Sequence, residues 1–410
     1  MSEPVFILGG AQSDFARNWA RDDKGLFELI SETTHAGLES ADITAADVDV
    51  VHLGNFAGEV FCGQGLIGGM MGHVDPGFEG KPTSRHEAAC ASGSMAIMAA
   101  MADIESGRYG LAGVVGVELM RNVPGQRAAE ILGAAAWADR EALGARYLWP
   151  AMFSDLAEEY DRRYGLDRAH LSEISRINFN NAKRNPSAQS RAWTFTEASF
   201  EADDDANPVV EGWMRRSDCG QVTDGAATLF LASETVARDY AAKRGLDLAQ
   251  IPRFKGWGHT TAPLMMESKL AKSRDAGGYM FPWVRKAITD ACGRAGITDV
   301  HQLDAIETHD CFSITEYMAI EHFGLTAPGE AWKAVESGMI AADGALPVNP
   351  SGGLIGLGHP VGATGVRMAL DAWRQTSGRG GDTQVEGARN VATYNVGGST
   401  TASACFVIGA

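Results

Sequence analysis

The chain has 410 residues, 35 of them basic and 52 acidic, for a net charge of −17. Its 45% apolar and 21% charged composition is that of a folded globular protein, able to bury a core without disulfides or metal, and excludes a disordered chain. The acidic balance argues against nucleic acid or an anionic membrane surface as the main partner, while an anionic small molecule, which meets only the local field, stays possible.

In chain order, Val5 to Leu8 reads as a strand, followed by a Gly-rich turn and a helix through Leu26 to Leu38. Val48 to Leu53 reads as a short buried strand, Cys62 to His73 as a Gly/Met-rich loop, Ala91 to Gly107 as a helix and Leu111 to Glu118 as a strand. Strands alternating with helices predict α/β layers. Residues 121–191 differ in style. They are rich in Trp, Tyr and Arg, with a helical patch from Phe153 to Tyr164, and carry 11 basic against 9 acidic side chains, a net of +2. A strand-like run returns at 222–233, and Arg253 to Thr261 reads as a linker into the last third.

The chain repeats itself. ASGSMAIMAAMADIESGR (91–108) and GATGVRMALDAWRQTSGR (362–379) both run from small residues into an apolar helix and end in SGR. The segments before them (43–56 and 297–312) and after them (111–120 and 388–398) also correspond in order. Three matches in one order predict two copies of one α/β unit, with 121–215 inserted into the first.

The 49 glycines have no Gly-X-Y period and concentrate in loops that could carry chemistry. Cys90, in EAACASGSM, stands directly before an apolar helix, where unpaired amides and the helix dipole favour thiolate and should lower its pKa; the alternative is an inert buried cysteine. NPSGGLIGLGHPVGATG (349–365) surrounds His359 with glycine. If the two duplicated helix starts meet, His359 approaches Cys90, and a Cys–His pair is the basic unit of thiol acyl transfer. In ETHDCFS (307–313), His309 and Cys311 lie two residues apart and share one face of a strand. In YNVGGST (394–400), a strand runs into glycines whose amides could donate to an oxyanion. A zinc site from Cys90, His309, Cys311 and His359 is the competing idea, but no local pair has zinc-finger spacing. Gly63, Gly65 and Gly68 satisfy GxGxxG without leading into a good helix, and no P-loop or GxSxG elbow is present. The six cysteines form no CxxC pair. No signal peptide, apolar span, prenylation box or SKL ending is read, so a cytoplasmic location is expected.

CASGS around Cys90, the GHPxGATG element around His359 and the glycine strand near the C-terminus resemble the thiolases over essentially the whole chain. The resemblance implies a duplicated, five-layered αβαβα core of the thiolase type. Its N-terminal half would span 1–120, completed by about 216–255. An inserted loop domain at 121–215 would hold coenzyme A, and a C-terminal half would span 256–410. Two departures stand out. The C-x-G cysteine of common thiolases is replaced by Asn395 in Asn395-Val396-Gly397, and the N-E-A-F motif by His309-Asp310-Cys311-Phe312. HDCF is similar to the sterol-carrier-protein type, where its cysteine replaces the missing acid/base. The implied roles are Cys90 as nucleophile, His359 as its base, Cys311 as acid/base, His309 with His359 on the enolate oxygen, and the Cys90 and Gly397 amides as oxyanion donors. The implied reaction is CoA-dependent C-acyl transfer on acyl-CoA through an acyl-enzyme, with coenzyme A as substrate or product, no metal and no resident cofactor, in a homodimer or homotetramer. Acylation of another acceptor, a retro-aldol lyase and an inactive scaffold subunit are the alternatives.

Overall fold

The structure, a computed structural model, describes residues 3–274 and 278–410. In chain order its strands are β1 (Val5–Gln12), β2 (Val50–Gly54), β3 (Thr83–His86), β4 (Leu111–Glu118), β5 (Val209–Glu211), β6 (Met214–Arg215), β7 (Gly225–Ala232), β8 (Arg253–Thr261), β9 (Ala305–Thr308), β10 (Asn390–Gly397) and β11 (Ala402–Gly409). Nine of them join in the order β3-β2-β4-β7-β1-β8-β11-β10-β9.

The order reads alike from both ends. β2 runs parallel to β4, β4 antiparallel to β7, and β7 antiparallel to β1. From the far edge, β9 runs parallel to β10, β10 antiparallel to β11, and β11 antiparallel to β8. A parallel bridge from Ile306 to Val348 occupies the place that β3 takes in the first series. The two series touch through β1 and β8 at Val5–Phe254 and Phe6–Arg253.

Helices cover both faces. Leu26–Ala41 lies outside β1 and β7, and Pro282–Ala295 outside β8 and β11. Between the two series lie the repeated helices, Ser92–Glu105 and Val361–Thr376, side by side. This is the α/β, five-layered αβαβα arrangement. Strands covered on both faces have no solvent side to serve, so β4 and β7 are buried along their whole length and read as continuous apolar runs. The helix Val361–Thr376 meets both series and buries every residue except Arg374 and Thr376. A Cβ on Gly93 would stand 2.8 Å from the Gly362 carbonyl oxygen, and one on Gly362 2.4 Å from that of Val117. The helix starts can meet only because both positions lack a side chain.

Two expectations from the sequence fail here. Cys62 to His73, read as a loop, holds helical turns at Ile67–Met70 and Met71–Val74. Arg253–Thr261, read as a linker, is strand β8. Its glycines do not loosen the chain. They let helix Pro282–Ala295 lie flush, since a Cβ on Gly256 or Gly258 would strike the carbonyl oxygens of Ala291 or Ala287 at 2.0 and 1.8 Å. Within 121–215 the chain forms helices Gly125–Leu132, Leu148–Tyr164 and Arg168–Ala182 and the β5–β6 hairpin. Among the described residues, no helix is long and apolar enough to cross a membrane.

Candidate active site

Cys90 follows a strained turn. Ala89 has φ of +51°, a conformation that L residues rarely adopt, and the turn is pinned by Ser92, whose Oγ accepts from the Ala88 amide (3.0 Å) and donates to the Ala89 carbonyl (2.6 Å). A short 3-10 turn, Ala89–Ala91, leads into the helix at Ser92. His359 comes from the glycine loop, after a wide helical turn at Gly353–Leu357 and Gly358 at φ +126°. Its amide donates to Thr223 Oγ1 (3.0 Å), and its Nδ1 meets Thr364 Oγ1 (2.8 Å). His309 follows the end of β9, so the sharing of a strand face with Cys311 does not arise: the strand stops at Thr308.

The structure brings three of the sequence candidates together. The Cys90 sulfur and one ring nitrogen each of His309 and His359 lie within 4.8 Å of one another. The two imidazoles stand perpendicular, 5.1 Å apart. Cys311 lines the same cavity without joining that trio, so the four-ligand zinc set does not assemble. The amide against the Cys90 sulfur belongs to Gly398, one residue beyond Gly397. Gly397 still ends β10, packed so tightly that a Cβ there would reach the Ala88 carbonyl oxygen at 1.9 Å.

The charge state departs from the reading of the sequence. Burial pushes the Cys90 thiol up to about 12. The Gly398 and Cys90 amides oppose this, and Glu118 and Glu87 add to it. The helix start does not make a resting thiolate, because the sulfur loses more solvation than two amides restore. Burial, aided by the buried guanidinium of Arg367, pushes His359 down to about 3. His309 is held well below the usual histidine range by burial, His359 and Arg367. Burial, with Cys90 and Asp310 nearby, pushes the Cys311 thiol well up. The resting site is therefore neutral thiol beside neutral imidazole.

Several supporting residues were not singled out in the sequence. Asp310 of HDCF accepts from the Leu354 (2.5 Å) and Ile355 (3.1 Å) amides and from Asn178 (2.9 Å), tying the His309 segment to the His359 loop. Arg367, fully buried, bonds Glu307 (3.0 Å), Ser351 (3.1 Å) and Asp371 (3.1 Å). Glu118 accepts from the Phe56 (2.9 Å), Ala57 (3.1 Å) and Gly362 (3.1 Å) amides and from Asn55 (2.9 Å), joining β4 to the start of the second central helix. Burial pushes its carboxyl up to about 7. One signal was available: Glu118 is the lone charge ending an otherwise apolar strand. The buried Lys269 holds the turn after β10 through Ser399 (2.6 Å) and Thr401 (2.8 Å).

The cavity at Cys90 measures about 470 Å³. Its wall is mainly apolar, with Leu132, Trp149, Phe153 and Phe312 prominent, and Arg216 is its one Lys, Arg, Asp or Glu among the described residues. A larger cleft, about 1080 Å³, opens between Val5, Glu105 and Arg253 and holds none of the groups above.

The comparisons with known proteins bear on this fold and site. The family described as "Thiolase, N-terminal domain" matches residues 5–193, and "Thiolase C-terminal domain-like" matches 267–410. An acetyl-CoA acetyltransferase of Methanothermobacter thermautotrophicus is 31% identical over 98% of this chain and 98% of its own. The chain belongs to the thiolase family of acyltransferases. Within it, the chain resembles the sterol-carrier-protein type: human sterol carrier protein 2 is 28% identical over 96% of this chain and 70% of its own length. A solved structure described as "Ltp2-ChsH2(DUF35) aldolase" shares the fold, with a TM-score of 0.79 at 20% identity, covering 100% of this chain and 98% of that one.

Proposed function

We propose that the protein is a CoA-dependent C-acyltransferase that cleaves 3-ketoacyl-CoA with coenzyme A, or condenses acyl-CoA in reverse, through an acyl group on Cys90. The observation that carries this reading is the convergence of the Cys90 sulfur with His309 and His359 nitrogens within 4.8 Å, where Cys90 and His359 line an apolar cavity.

In thiolysis the Cys90 sulfur attacks the 3-keto carbon and its proton passes to His359. The alkoxide faces the Cys90 and Gly397 amides. The C2–C3 bond breaks, and its electrons enter an enolate whose oxygen faces His309 and His359. Cys311, a neutral thiol at rest, gives its proton to C2, and acetyl-CoA leaves. Incoming coenzyme A gives its thiol proton to the Cys311 thiolate and attacks the acyl-Cys90 thioester. The Cys90 thiolate departs and recovers its proton from His359. Each proton is accounted for, and the kinetics are ping-pong.

Coenzyme A would lie along 121–215, whose Leu132, Tyr147, Leu148 and Trp149 line the cavity, with Arg216 there to meet an anionic group. The half-boundaries at 1–120 with 216–255 and at 256–410, assembly as homodimer or homotetramer, and a cytoplasmic location belong to the same reading.

Incubation with acetyl-CoA, followed by mass spectrometry, should add one acetyl group to Cys90. No adduct, or one that persists in Cys90→Ala, refutes the acyl-enzyme. Acylation without cleavage of 3-ketoacyl-CoA by coenzyme A would favour another acceptor or a lyase instead.

A further inference from the structure

We propose that Asn395, which stands where common thiolases carry a cysteine, is a positioning residue that fixes His309 in the tautomer with its proton on Nε2, the form able to donate to the enolate oxygen in the role given above. In the neutral ring the tautomer follows from hydrogen-bond geometry. Its use on an enolate rests on the acyl-transfer reading above.

The orientation of the Asn395 amide is decided by its neighbours. Nδ2 lies 3.2 Å from the Cys90 carbonyl oxygen, which can only accept. Oδ1 lies 2.7 Å from Ser94 Oγ, which donates to it. Turning the amide over would set its oxygen against the Cys90 carbonyl, two acceptors face to face. Nδ2 therefore carries two hydrogens towards two partners. One goes to the Cys90 carbonyl. The other goes to His309 Nδ1, 3.0 Å away. The Val396 amide also points at that nitrogen, at 3.4 Å. With two donors aimed at it, Nδ1 holds a lone pair, and the single proton of a neutral imidazole sits on Nε2.

That Nε2 is buried and has no hydrogen-bond partner among the described residues. A buried N–H without an acceptor is costly, and is retained where a ligand supplies the acceptor. His359 is set the opposite way. Thr364 Oγ1 donates its one proton to the Pro360 carbonyl (2.9 Å), so at 2.8 Å it accepts from His359 Nδ1–H, and Nε2 of His359 keeps the lone pair. The two histidines beside Cys90 thus hold opposite tautomers, one donor and one acceptor. Burial and the Arg367 charge keep His309 from taking a second proton. An N–H at this point also suits the trio to an anionic oxygen better than to a metal cation, which needs three lone pairs.

Two measurements test this. In ¹⁵N NMR of the unliganded wild type, with His309→Gln for assignment, His309 should be neutral with Nε2 protonated. Nδ1–H, or a doubly protonated ring near neutral pH, overturns the proposal. Asn395→Asp replaces the amide donor with an acceptor, so His309 should move its proton to Nδ1. The variant's kcat for thiolysis should then fall about 10²–10³-fold, the cost of one lost oxyanion donor, with KM little changed. A kcat unchanged in a variant with a shifted tautomer also overturns it. If Asn395→Asp does not fold, the wild-type spectrum still decides. Failure of Cys90 to acylate sinks the acyl-transfer reading while leaving the tautomer assignment to stand or fall on the spectrum.

Discussion

Titrating the resting protein through neutral pH, while following thiolate absorbance with Cys90→Ala as the blank, measures the charge state of Cys90. With the thiol at about 12, the thiolate fraction at neutral pH is about 10⁻⁵. A thiolate–imidazolium pair is no easier. It moves a proton across a gap of about nine pH units, from Cys90 at about 12 to His359 at about 3, which costs about 12 kcal/mol. Attraction between ions no more than 4.8 Å apart offsets at least about 3 kcal/mol at an effective dielectric constant of about 20. The remainder, several kcal/mol, leaves the ion pair a minor form. Wild type and Cys90→Ala should therefore give the same thiolate absorbance across neutral pH. A pH-independent signal approaching one thiolate per chain would refute the reasoning, and would mean that the helix start outweighs burial after all. In the expected case, the proposed acyl transfer would couple proton transfer to His359 with attack on the substrate, the oxyanion donors supplying the driving force.

Three further outcomes are expected. Cys311→Ala should lower thiolysis about 10²–10⁴-fold while Cys90 still acylates, and unchanged turnover would remove Cys311 from the acid/base role. Gly362→Ala places a methyl 2.4 Å from the Val117 carbonyl oxygen, so denaturant unfolding should register a loss of about 1–3 kcal/mol or more, against no change if the helices can slide apart. Glu118 titrates near 4.5 unfolded but at about 7 folded, so the folded state binds the extra proton between those values. Stability from this group is full below about pH 4.5 and falls by about 3 kcal/mol as pH rises to about 7. Glu118→Gln should flatten that slope, and a variant with the wild-type slope would assign it elsewhere.

Much of this protein is legible in the order of its residues. The runs at 111–118 and 222–233 declare strands, and β4 matches its expected bounds residue for residue. The repeated helices at 91–108 and 362–379 announce the duplication, and the small residues that begin them are what allow the helix starts to touch. Cys90 and His359 stand out for the same reason: close backbone approach demands glycine and alanine, and composition records it. β8 was hidden because two glycines that admit a helix look, in sequence, like those that loosen a loop. The protonation of the site was hidden more deeply. Solvation lost by the Cys90 sulfur depends on everything packed around it, and outweighs the one local signal, the helix start. The tautomer of His309 depends on Asn395, 86 residues away in the chain, and the orientation of Asn395 on a carbonyl 305 residues away. The sequence by itself determined the layers and the duplication, and singled out Cys90 and His359. Which groups face one another, and in what charge state, only the tertiary structure decided, because hydrogen bonding and desolvation act through space between residues that the chain holds far apart.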